Sequence, residues 1–111
     1  MAELPEELSP RQLAELLSEA DVQLVDVREP YEHEAGRIAD DVLIELDKLP
    51  GEADTLDRER PLVFYCRTGS RSALATQAFG TAGFDAHNLT GGLQAWVKDG
   101  LPIEPADGHV A

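Results

Sequence analysis

The sequence predicts an α/β domain in which a mostly parallel central sheet is flanked by helices on both faces. Three observations predict it. Short runs of branched apolar residues alternate with segments of helical period. The run Pro61-Leu62-Val63-Phe64-Tyr65 is apolar without alternation, as in a strand buried on both faces. Glycine and proline punctuate the chain between these runs, which excludes long continuous helices and argues for strand–helix alternation.

Each element has a local cause. Ser9-Pro10-Arg11-Gln12 is a helix start: Ser9 caps, Pro10 suits the first helical position, and Gln12 completes a capping box. Leu13, Leu16 and Leu17 then recur at helical spacing. Val22-Gln23-Leu24-Val25-Asp26-Val27 switches to the composition of a short strand. A polar connection with one helical turn near Pro30 leads to a second strand at Val42-Leu43-Ile44. Leu46 to Leu49 form a turn of helix that Pro50-Gly51 is expected to break. After the Pro61–Tyr65 strand, a helix runs from Arg71 to about Phe79 and ends at Gly80 and Gly83. His87-Asn88-Leu89 is the next strand, Gly91-Gly92 a tight turn, and Leu93 to Lys98 a short helix closed by Gly100. The chain is expected to form a single domain over residues 1–111, with a loose polar tail from about Glu104.

Composition narrows the function classes. The chain has 111 residues, enough for one core. Nine Lys and Arg stand against 22 Asp and Glu, a formal net charge of −13. Such a surface repels phosphate backbones and anionic membranes, so neither nucleic acid nor membrane is expected as a partner. The acidic start Met1-Ala2-Glu3-Leu4-Pro5 lacks an apolar signal core, and a cytoplasmic location is expected. With one cysteine, an intramolecular disulfide is impossible. One Cys and three scattered His do not supply zinc-ligand spacing, so no metal is expected; His33, His87 and His109 read as surface or local hydrogen-bonding residues.

The chemistry gathers at Cys66-Arg67-Thr68-Gly69-Ser70-Arg71. In an α/β sheet, ligands bind beyond the carboxyl ends of the strands, and the only thiol sits there. If a helix follows, loop and first-turn N–H groups converge into an anion-binding nest that favours thiolate over thiol. Two of the nine basic residues, Arg67 and Arg71, fall in this six-residue loop. Gly69 permits backbone conformations closed to other residues. Ser70 and Ser72 can donate to a bound anion or cap the helix. Taken singly, a cysteine ending a buried strand is a small hydrophobe, and each arginine a solvated surface group. It is their combination with Gly69 and a following helix that points to a nucleophile.

Three segments resemble the single-domain rhodaneses, the thiosulfate and persulfide sulfurtransferases. They are Leu24-Val25-Asp26-Val27-Arg28-Glu29-Pro30 continuing to Glu34-Ala35-Gly36-Arg37-Ile38; Val63-Phe64-Tyr65-Cys66-Arg67-Thr68-Gly69-Ser70-Arg71-Ser72-Ala73; and Gly83-Phe84 through Leu89-Thr90-Gly91-Gly92-Leu93-Gln94-Ala95-Trp96. The resemblance implies a rhodanese-like parallel sheet flanked by helices and a Cys66 that accepts sulfane sulfur. The loop residues Arg67, Thr68, Gly69 and Ser70 would wrap the persulfide, and Arg71 would close the loop and orient an anionic donor. Ser72, Asp26 and Arg28 would support the site; for the last two, a structural ion pair and direct substrate contact both remain open. Gly91, Gly92 and Trp96 match a closing turn and helix and carry no chemistry, with Trp96 in the core.

The implied reaction moves sulfane sulfur from thiosulfate or a persulfide to cyanide or a thiol, a protein thiol included, without metal or organic cofactor. Two other readings stay open: a binding or regulatory module without turnover, and a cysteine phosphatase or arsenate reductase. The second of these uses a loop one residue longer than Cys66–Arg71. The chain departs from the family at Arg37, commonly His, at Ala39 and Asp40, often Pro and Gly, and at Glu45, a further Pro position. These departures bear on donor choice.

Overall fold

The computed structural model describes residues 4–111; Met1-Ala2-Glu3, where the acidic start was read, lie outside the described residues. The chain runs β1 (Glu7–Leu8), α1 (Pro10–Glu19), β2 (Gln23–Asp26), α2 (Pro30–Ala35), β3 (Val42–Leu43), α3 (Leu49–Glu52), β4 (Leu62–Tyr65), α4 (Ser70–Thr81), β5 (Ala86–Leu89) and α5 (Gly92–Lys98), with 3₁₀ turns on either side of α3. The five strands form one sheet in the order β1-β5-β4-β2-β3, and every pairing is parallel.

The helix starts are local. In α1 the Ser9 hydroxyl accepts from the Gln12 N–H at 3.1 Å, and the Gln12 side chain accepts from the Ser9 N–H at 2.8 Å. This is the reciprocal capping box, with Pro10 where its missing N–H costs nothing. Pro50 and Gly51 do not break the chain's helical course. They lie inside α3, because a proline in the first turn gives up an N–H that has no partner there anyway.

Side-chain alternation on β4 divides the core. Val63 and Tyr65 face a cluster with Leu13 of α1 and Leu93 and Trp96 of α5. Leu62, Phe64 and Cys66 face another with Ala75 and Phe79 of α4 and Leu49 of α3. Helices thus flank both faces, and the thiol shares its face with α4. The crossovers from β2 and β4 lead in opposite directions along the sheet, to β3 and to β5. The carboxyl ends of β2 and β4 therefore meet at a topological switch point, where open α/β sheets bind ligands.

Two further features differ from expectation. The edge strand β1 is only two residues long and exists through pairing: Asn88 N–H donates to Glu6 and Thr90 N–H to Leu8, both at 2.8 Å. The segment from Glu104, expected to be loose, is tied back. Arg37 and Glu104 exchange both main-chain hydrogen bonds at 2.9 and 2.8 Å, His109 N–H donates to Ala35 at 2.9 Å, and Val110 packs against the core. Its polar composition did not show this because the bonds are made by backbone. No helix among the described residues is long and apolar enough to cross a membrane.

Candidate active site

The loop between β4 and α4 owes its shape to backbone groups. Gly69 caps α4 with φ +100°, a left-handed conformation that glycine adopts without strain. This turns its N–H onto Cys66 Sγ at 3.1 Å. The first turn of α4 adds the Ser72 N–H at 3.5 Å and the Ser72 hydroxyl at 3.3 Å. Burial pushes the Cys66 thiol up. The Ser72 hydroxyl and the N–H groups of Ser72, Gly69 and Thr68 outweigh burial, so its pKa lies below the ordinary thiol value. Cys66, Gly69 and Ser72 are buried, whereas Arg67, Thr68 and Ser70 are exposed on the outer rim.

A second layer holds the loop from behind. The Leu93 N–H donates to the Cys66 carbonyl at 2.8 Å and the Gln94 N–H to the Arg67 carbonyl at 3.0 Å. This approach requires Gly92, since a Cβ there would lie 2.5 Å from the Cys66 carbonyl oxygen. The Asn88 amide donates to the Gly69 carbonyl at 3.2 Å and to the Glu7 carboxylate at 3.0 Å. The Gly91-Gly92 turn, given no chemistry from sequence, is thus the seat on which the loop rests.

Arg71 does not project freely over the thiol. Its Nη1 and Nη2 donate end-on to Glu32 Oε1 and Oε2 at 2.8 and 2.9 Å. The Glu32 side chain is 4% exposed and that of Arg71 36%. Hydrogen bonding to Arg71 holds the Glu32 carboxyl below its ordinary range, and the same contact raises the guanidinium. Sequence reasoning missed Glu32. Its position three residues after Glu29, with its side chain accepting from the Glu29 N–H at 3.1 Å, was the available signal.

Asp26 and Arg28 form a sealed pair with both side chains at 0% exposure. Arg28 Nε and Nη2 donate to the Asp26 carboxylate, and Nη2 also to the Gly36 carbonyl at 2.7 Å. The pair joins the end of β2 to the end of α2. Beside it, the Tyr65 hydroxyl donates to Asp41 and accepts from the Ile38 N–H at 3.1 Å, while His33 Nε2 meets Asp41 at 2.9 Å. Asp26, His33 and Asp41 place potential ligand atoms within 4.8 Å of one another. Arg28 donates to the Asp26 carboxylate, and Tyr65 and His33 meet that of Asp41, so both carboxylates of the cluster already have protein partners. Among the variant positions, Asp40 has φ +65°, the region where glycine is at home. Arg37 donates to the His33 carbonyl at 3.3 Å, and Glu45 pairs with Lys48 at 3.1 Å.

Comparison with known proteins agrees with this geometry. The model of the rhodanese-like domain matches residues 9–99. A sulfurtransferase from Allochromatium vinosum is 35% identical over 92% of this chain and 97% of its own length. The thiosulfate sulfurtransferase GlpE of Actinobacillus pleuropneumoniae is 30% identical over 96% and 99%. Among solved structures, a rhodanese-related protein from Thermoplasma volcanium superposes with a TM-score of 0.83 at 28% identity, covering 89% of this chain and 97% of the other. A rhodanese-like domain protein from Staphylococcus aureus gives 0.77 at 31% identity, covering 83% and 91%. With a family match over most of its length and its lone thiol cradled at the β4–α4 junction, the chain belongs to the rhodanese family.

Proposed function

We propose that the protein is a sulfurtransferase that carries sulfane sulfur as a persulfide on Cys66. The observation that carries this reading is the convergence of the Gly69 and Ser72 N–H groups and the Ser72 hydroxyl on one buried sulfur. These donors stabilise a thiolate, and they remain in place to stabilise the anionic outer sulfur of a persulfide. The rhodanese-type relatives named as sulfurtransferases support the same class.

The reaction has two half-steps. The Cys66 thiolate attacks the sulfane sulfur of thiosulfate or of a persulfide. A Cys66 S–S bond forms, the donor's bond to that sulfur breaks, and sulfite or a thiolate leaves with the electron pair. A thiol, as thiolate, or cyanide then attacks the outer sulfur, and Cys66 departs as thiolate. This is covalent catalysis in which an electropositive loop replaces a general base. Arg71, and Arg67 at the rim, supply charge at the mouth; Thr68, Gly69 and Ser70 shape the cradle; Ser72 donates to the sulfur; Asp26 and Arg28 brace the neighbouring loop. Intact mass after thiosulfate or persulfide treatment should show about 32 Da added to the native protein and none to Cys66→Ala. Turnover retained by Cys66→Ala would reject the reading.

A further inference from the structure

Arg71 reaches the mouth of the loop already paired. Its end-on contact with Glu32 uses both terminal nitrogens and leaves Nε and the outer N–H bonds for a ligand. The Glu32 carboxylate is nearly sealed from water and locked by the Glu29 N–H, so solvent does little to screen its charge. Next to Arg71 opens a cleft of about 330 Å³ with Val27 and Leu46 as its apolar lining and Glu29, Glu45 and Asp47 as its charged lining. Arg71 is the one cation lining it, and Lys48 is taken up by Glu45. Arg67 stands exposed on the loop, with no ion-pair partner among the described residues. A doubly charged anion entering here meets one offset guanidinium, the carboxylates of Glu29 and Asp47, and a Glu45 carboxylate already paired with Lys48. A donor whose sulfur is carried on a small organic group meets apolar walls and less repulsion.

We propose that Glu32 determines donor specificity: by offsetting the charge of Arg71, it makes the site favour a low-molecular-mass alkyl persulfide over the thiosulfate dianion. This rests on the sulfurtransfer reading above. Glu32 acts through Arg71 and is a positioning residue that sets the charge of the mouth while holding the guanidinium in place. A purely structural Glu32 would affect both donors alike, so the ratio of donors is the informative quantity.

The test is steady-state kcat/KM for thiosulfate and for cysteine persulfide, with saturating cyanide as acceptor, in the native protein and in Glu32→Gln. The substitution keeps the side-chain length and one oxygen for the Glu29 N–H and Arg71 Nη1, and removes the charge together with the acceptor that Arg71 Nη2 uses. The native protein should prefer cysteine persulfide. In Glu32→Gln, kcat/KM for thiosulfate should rise about tenfold, mainly through KM, while the persulfide value moves less than about threefold. An unchanged ratio, or an equal fall for both donors, overturns the proposal. If Glu32→Gln fails to fold, the exposed pair Glu29→Gln and Asp47→Asn tests the same charge argument. Thiosulfate should again gain on persulfide, and an unchanged ratio overturns the proposal. Intact mass separates the two levels. Cys66 that gains sulfur with an unaltered donor ratio rejects only the role of Glu32, and Cys66 that gains no sulfur from either donor rejects both.

Discussion

At Cys66 the free energy of the thiolate is a contest between burial and hydrogen bonding. Burial is the largest single influence and opposes the charge; it loses only because several donors act together. Ser72 supplies two of them, and its hydroxyl can be removed without touching the backbone. Ser72→Ala should therefore raise the Cys66 pKa. The sign is fixed: losing a donor to the anion favours the protonated thiol, so the thiolate fraction at neutral pH falls. Alkylation rate against pH should show the midpoint displaced upward, and an unmoved midpoint would show that the N–H groups alone hold the thiolate.

Among the elements, β4 and α4 carry the loop but do not shape it alone. Its outer carbonyls are gripped by the start of α5, and Gly92 is the point of closest approach, with φ +64° and no room for a side chain. Gly92→Ala combines a left-handed strain with a clash against the Cys66 and Arg67 backbone. It should cost about 2–4 kcal/mol of stability. Urea denaturation would measure this loss, and a variant as stable as the native protein would show that α5 yields easily. The short α2 has a comparable role from the other side. Its capping interaction with the Glu29 N–H orients Glu32, which in turn fixes Arg71. Two brief helices thus control the charge and shape of a loop that lies on neither.

Over the whole molecule, the net charge of −13 opposes the local field of the loop. A small anion is repelled as it comes within the Debye length of dilute buffer and attracted only once inside the cradle. Raising salt from about 20 to about 200 mM should then increase kcat/KM for thiosulfate two- to threefold, because exposed charges are screened more than the enclosed N–H groups. A steady fall from the lowest salt upward would show instead that attraction at the mouth dominates. The same field bears on an acceptor protein, which should present a basic or neutral face around its thiol. The crossovers from β2 and β4 diverge at their carboxyl ends, and such a partner would have to reach Cys66 there.

Local chemistry determined much of this protein from sequence. The capping box at Ser9, the apolar run of β4, and the Cys–Arg–Gly loop before a helix depend on residues within a few positions of one another, and their physics is complete at that range. The proposed persulfide chemistry likewise rests on one strand–loop–helix. What depends on long-range contacts was not legible. The two-residue β1 forms only because β5 lies beside it, and the tail from Glu104 is ordered by backbone bonds that any composition could make. Pro50-Gly51 reads as a breaker but falls in a first turn, where the missing N–H is harmless. Above all, Glu32 and Arg71 are 39 positions apart. A carboxylate buried against a partly exposed cation gains its meaning only when the fold removes that carboxylate from water, and tertiary structure alone decides that.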